Sequence, residues 1–123
     1  MENSTIKPQI EFENLVKDNL TYERISIMSF EEYKEFILYF FTEVDKLKQK
    51  KLRKENIENF INKHYSDTMS NFDDNDDLFE RRFEVFNEEL LEFCSSPFFW
   101  NTSLETYLKK WDVYFNINWF KEV

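Results

Sequence analysis

Residues 29–47 read SFEEYKEFILYFFTEVDKL. In this stretch Phe30, Tyr33, Phe36, Ile37, Phe40, Phe41, Val44 and Leu47 recur at steps of three and four. That spacing winds them onto one wide stripe of an α-helix. Ser29 can accept from the backbone N–H three residues on, and Glu32 stands there to reach back, which is a capping box. Met28 and Tyr33 flank it at the staple positions. The segment predicts a central helix over roughly 30–50 with a broad buried face, and the other apolar stripes of the chain have to pack against it.

Toward the N-terminus, residues 1–7 read as a loose polar start. Pro8 suits the first turn of a helix, where its missing N–H costs nothing. Ile10, Phe12, Leu15, Val16 and Leu20 place that helix at about 8–19. Toward the C-terminus the apolar rhythm stumbles at Leu47, Leu52 and Ile57, which predicts a break near 50–54. A third helix follows at about 54–67, carrying Ile57, Phe60, Ile61 and Tyr65. After the acidic stretch 68–76, Asp77 is a good N-cap with Glu80 behind it. Phe79, Phe83, Phe86, Leu90 and Phe93 then step +4, +3, +4, +3, a narrow bundle seam. Pro97 ends this helix, and Thr102 with Glu105 opens a fifth helix carrying Leu104, Tyr107, Leu108 and Trp111.

Two segments alternate instead. Val113, Phe115, Ile117 and Trp119 step by two, as do Ile25 and Ile27, so the pattern allows a minor two-stranded ribbon of 22–27 with 113–119. The expectation is one all-α domain spanning residues 1–123, a compact bundle of four to five helices with that ribbon at its side.

Composition supports this class. The 123 residues include 15 Phe, 6 Tyr and 3 Trp, two Pro and no Gly. Tight hairpins and left-handed turns usually need Gly, so a β-sandwich or barrel is disfavoured. The same lack removes every Gly-rich phosphate loop. No apolar run approaches the roughly 18–20 residues of a membrane span. MENSTIKPQ lacks a signal-peptide core, and the lone Cys94 forms no internal disulfide. A cytoplasmic protein without a membrane partner is the expectation.

The net charge is −9, which makes nucleic acid a poor direct partner and a basic protein a better one. Between Ser66 and Ser96 ten acids face only Arg81 and Arg82, so this quarter of the chain holds nearly all of that charge. Glu80, Glu84, Glu88 and Glu92 lie four apart, about 6 Å along a helix axis, drifting round it by roughly 40° a step. Like charges at this spacing destabilise a helix by about 0.2–0.5 kcal/mol per pair. Asp73, Asp74, Asp76 and Asp77 extend the row. A solvated face that keeps an aromatic-rich domain soluble accounts for such a row. So does a ridge of carboxylates that imitates backbone phosphates and fills a cationic groove.

Other chemistry is thin. Asp73, Asn75, Asp77 and Glu84 fall on calcium-loop positions, but Leu78 stands where the sharp turn demands Gly. His64 is the only histidine and has no partner set for catalysis or metal binding. It reads as a partly buried structural residue, and Cys94 as a small apolar one. The cations Lys46, Lys48, Lys50, Lys51, Arg53 and Lys54 read as a solvated helix end, able also to pair with the acidic helix. Pro97-Phe98-Phe99-Trp100 reads as an aromatic plug of the core.

These features define the functional expectation. It is a small, acidic, non-enzymatic binding protein, monomeric or homodimeric, without cofactor or metal. It neutralises a toxin or nuclease by covering a basic active-site or nucleic-acid groove, as the immunity protein of a bacterial toxin–immunity pair does. The partner-binding residues are then Asp73, Asp74, Asp76, Asp77, Glu80, Glu84, Glu88 and Glu92. A phage-type inhibitor of a host defence nuclease meets the same physical demands, and a homodimeric interaction module is the remaining alternative.

Overall fold

The computed structural model describes residues 2–50, 52, 54–71, 76–95, 102–117, 120 and 121. They form seven helices: α1 (Glu2–Asn19), α2 (Tyr22–Ile25), α3 (Phe30–Gln49), α4 (Lys54–Met69), α5 (Asp77–Ser95), α6 (Leu104–Leu108) and α7 (Trp111–Phe115). The protein is an all-α bundle, and among the described residues there is no strand.

Helix α3 starts as its sequence dictates. Ser29 Oγ accepts from the Glu32 N–H at 3.1 Å and Glu32 Oε1 accepts from the Ser29 N–H at 2.8 Å. Tyr33, Phe36, Ile37, Phe40, Phe41, Val44 and Leu47 are all buried. Phe41 sits where several helices meet, its ring centroid 5.1–5.8 Å from those of Phe86, Phe93, Tyr107 and Trp111. Tilted and edge-on contacts of this kind add about 0.5–1.5 kcal/mol each beyond area burial. Phe12, Val16 and Leu20 of α1, Ile57 and Ile61 of α4, and the whole Phe79–Phe93 seam of α5 close the same core. Helix α1 packs on α3 and α4, α4 on α5, and α6 on α3.

Several local expectations are corrected. The ribbon does not form. Thr21 Oγ1 accepts from the Arg24 N–H at 3.3 Å, which caps a helical turn at Tyr22–Ile25, and Ile25 is drawn into the core. Residues 111–115 of the other half are helical, with Trp111 buried, and 118–119 lie outside the described residues. The N-terminal helix begins at Glu2, so Pro8 lies inside it and not in its first turn. Two caps shift by one residue. Asp76, not Asp77, caps α5, its Oδ1 accepting from the Phe79 N–H at 3.0 Å. Ser103, not Thr102, caps α6, accepting from the Thr106 N–H at 3.2 Å. In both places two adjacent polar side chains compete, and the one directly before the helix wins; Ser103 has the extended backbone of an N-cap, φ −65° and ψ 151°. The break between α3 and α4 falls where the apolar rhythm lapses, after Gln49. Pro97-Phe98-Phe99-Trp100 lies outside the described residues.

Candidate functional site on helix α5

Helix α5 carries two sets of charged residues, one turned in and one turned out. Inward, Arg82 is completely buried. Its Nε and Nη2 donate to the Phe120 carbonyl at 3.1 and 2.8 Å, and its Nη1 donates to the Met28 carbonyl at 2.8 Å. The guanidinium carbon lies 4.8 Å over the Tyr33 ring centroid, and Tyr33 donates its hydroxyl to the Arg82 carbonyl at 2.9 Å. Arg82 thereby ties the α2–α3 turn, α3 and the C-terminal Phe120 to α5. Glu89 is also buried. It accepts from the Tyr107 hydroxyl at 3.0 Å and the Tyr114 hydroxyl at 3.2 Å, and Lys110 Nζ stands 3.0 Å away. Trp111 Nε1 donates to Tyr107 Oη at 3.1 Å, extending the network. Burial, with the Glu89 charge behind it, pushes the Tyr107 phenol far above its ordinary range.

The sequence pattern contains a signal for both residues. Arg82 is three after Phe79 and four before Phe86. Glu89 is three after Phe86 and four before Phe93. Both therefore belong to the apolar stripe by position, although their charge reads as surface.

The outward set is the acidic row, and its members differ in what they do. Asp76 is taken up by folding: beyond its cap, its Oδ2 accepts from the Tyr22 hydroxyl at 3.0 Å. Glu92 forms a close ion pair with Lys110. Asp77, Glu80, Glu84 and Glu88 make no ion pair among the described residues, and Asp77 and Glu88 are exposed. Asp73 and Asp74, with Asn75 of the calcium-loop pattern, lie outside the described residues. The drift of the row explains the division. Its middle faces the α4 side, where Tyr65 donates to Glu84 Oε1 at 3.4 Å, and its end arrives beside Lys110. Burial raises the Tyr65 pKa, and the charges of Glu84, Glu80 and Glu88 raise it further. One phenol thus feels three members of the row together.

A notch of about 200 Å³ lies along this face between α4 and α5. Tyr65, Glu84 and Glu88 line it beside Ile61, Leu91 and Asn87. Asn87 is buried and donates its Nδ2 to the Phe83 carbonyl at 2.7 Å, while its Oδ1 has no hydrogen-bond partner among the described residues. The notch therefore presents acceptors and negative charge against an apolar wall, which suits a hydrogen-bond donor carrying positive charge.

The lysine-rich run does not neutralise the row among the described residues. Lys46 pairs with Glu43 at 2.9 Å and Lys50 with Glu11 at 3.7 Å. Lys48 donates to the Phe93 carbonyl at 3.2 Å and lies 3.6 Å over the Phe93 ring centroid, a cation at the C-terminal end of α5. Lys51 and Arg53 lie outside the described residues. Burial pushes the Cys94 thiol up to about 12 against the pull of Lys48, so it is held as an inert thiol. His64 Nε2 stands 2.6 Å from the Leu20 carbonyl, a contact only an N–H can make, so it donates there and joins α4 to the end of α1. Among the described residues no group of three His, Cys, Asp or Glu is placed to hold a metal ion, and no helix is long and apolar enough to cross a membrane.

No protein family, curated protein or solved structure matches this chain.

Proposed function

We propose that the protein is a non-enzymatic binding protein that neutralises a basic partner, a toxin or nuclease domain, by laying the outer face of α5 into its cationic groove. The observation that supports this reading is the state of Asp77, Glu80, Glu84 and Glu88, which make no ion pair among the described residues. A helix that keeps three carboxylates at i, i+4 spacing gives up about 0.2–0.5 kcal/mol per pair, and a cationic groove returns that loss on binding. Complementary charge of this sort accelerates encounter and suppresses wrong partners. An immunity protein of a toxin–immunity pair, or an inhibitor of a defence nuclease, has this requirement.

The test is a pull-down from the source cell at low and high salt, followed by titration of the captured partner with E80Q/E84Q/E88Q. The expected result is capture at low salt, and a variant that binds at least about ten-fold more weakly with a shallower salt slope. Unchanged affinity and salt slope in the variant would overturn the reading.

A further inference from the structure

A second surface, sharing no residue with α5, has the chemistry of a docking site. A cleft of about 510 Å³ opens between α3 and the α6–α7 pair. Leu38, Leu108 and Phe115 give it an apolar lining, with Ile37 and Trp111 buried behind them. Leu38 is 55 % exposed. The rim is acidic: among the described residues Glu31, Glu35 and Asp112 line it with Lys34, and Lys121 lies farther out, 5.4 Å from the Phe30 ring centroid. Lys34 is engaged locally. Its Nζ lies 3.4 Å from Glu31 and 5.3 and 5.8 Å from the ring centroids of Phe30 and Phe115. Glu35 and Asp112, one on each wall, make no ion pair among the described residues.

We infer that this cleft docks a short cationic segment of another protein. One large apolar side chain of that segment seats against Leu38 and Phe115, and flanking Lys or Arg side chains reach Glu35 and Asp112. The volume falls within the range of about 300–1,000 Å³ in which side chains and small ligands are held. The sign of the rim selects the occupant. A second copy would bring the same carboxylates face to face, and nucleic acid or an anionic lipid surface is repelled. A cationic segment satisfies both the lining and the rim. The inference does not depend on the reading of α5.

The test uses the ¹⁵N-labelled full chain and three capped hexapeptides: KKLFKK, EELFEE and KKSSKK. The expected result is that KKLFKK alone gives saturable shifts of the amides around Lys34–Leu38 and Leu108–Asn116. The double variant E35Q/D112N and the single variant L38D each weaken that binding by at least about five-fold, all three positions being exposed. The variant E80Q/E84Q/E88Q leaves it within about two-fold, which separates failure here from failure on α5. Four results would overturn the inference. They are no binding by KKLFKK, equal shifts from KKSSKK, equal shifts from EELFEE, or concentration-dependent shifts of the cleft without peptide, the mark of a second copy.

Discussion

Tyr33 and Arg82 hold each other at two points: the Tyr33 hydroxyl donates to the Arg82 carbonyl at 2.9 Å, and the Arg82 guanidinium lies 4.8 Å over the Tyr33 ring centroid. Both residues are completely buried. The guanidinium fork also spans the Phe120 and Met28 carbonyls, so removing it orphans acceptors on two separate segments. Each buried group left unsatisfied costs about 1–3 kcal/mol. Arg82→Met is therefore expected to lower unfolding stability by about 3 kcal/mol or more. Arg82→Lys recovers only part of this, because an ammonium cannot reproduce the planar fork. Tyr33→Phe is expected to lose about 1 kcal/mol, the share of one hydrogen bond. Urea unfolding of the three variants checks the order, and an Arg82→Met protein as stable as the wild type would refute the tie.

Asn87 gives the opposite sign. Its Oδ1 is buried without a partner among the described residues, and its Nδ2 bonds only within its own helix. The notch of about 200 Å³ beside it has room for a larger apolar side chain. Asn87→Leu is expected to raise stability by about 1 kcal/mol and Tm by about 4 °C. A calorimetric scan showing a lower Tm would contradict this account of Asn87.

Much of the architecture was legible because the apolar steps in α3 and α5 are long and regular. Phe79 to Phe93 and Tyr33 to Leu47 are buried as their spacing predicts. The C-terminal segment was not legible for a specific reason. In VYFNINWF, residues 113–120, large side chains occupy nearly every position, so a period of two and a helical turn can be drawn through the same letters. Trp111 and Phe120 are buried while Val113 is 68 % exposed, and the helix that starts at Trp111 carries the segment only as far as Phe115. At the candidate site, the row of four glutamates was visible, but its division was not. Glu92 meets Lys110 across 18 positions of sequence, and Asp76 meets Tyr22 across 54, distances at which spacing carries no information. Arg82 and Glu89 were hidden by their own charge, although their positions on the stripe mark them as inward.

Alkali is expected to destabilise the fold. Burial pushes the Tyr33 and Tyr107 phenols up from their ordinary 10.0 and the Cys94 thiol from 9.0 to about 12. The folded protein keeps these protons at a pH where the unfolded chain releases them. The stabilisation is complete below the ordinary values and is lost as pH rises through them, by up to about 1.4 kcal/mol per pH unit for each group. The urea midpoint is expected to stay level to about pH 8.5 and to fall steeply above about pH 10. In Cys94→Ala the portion of the decline that begins near pH 9 should vanish. A midpoint at pH 11 equal to that at pH 7 would refute the assignment.

Lys110 links the interior of α5 to its outer face. It pairs with buried Glu89 at 3.0 Å and with exposed Glu92, and is itself about one-third exposed. Lys110→Met leaves Glu89 with two tyrosine donors and no counter-cation among those described. The expected loss is about 1–2 kcal/mol, less than for a fully buried pair because solvent screens the ammonium. Tyr107 and Tyr114 donate to different oxygens of Glu89; Glu89→Gln keeps one of these acceptors, turns an amide donor toward the other hydroxyl oxygen and removes the uncompensated charge, so the double variant E89Q/K110M is expected to be more stable than K110M alone. The coupling should be about 1 kcal/mol in a double-mutant cycle. Lys110→Met also releases Glu92 into the outer row, adding a carboxylate to Glu80, Glu84 and Glu88. If α5 meets a cationic groove, K110M should associate faster at low salt and with a steeper salt dependence than the wild type, despite being less stable. An association rate that follows stability downward would mean that the outer face of α5 is not the surface that meets the partner.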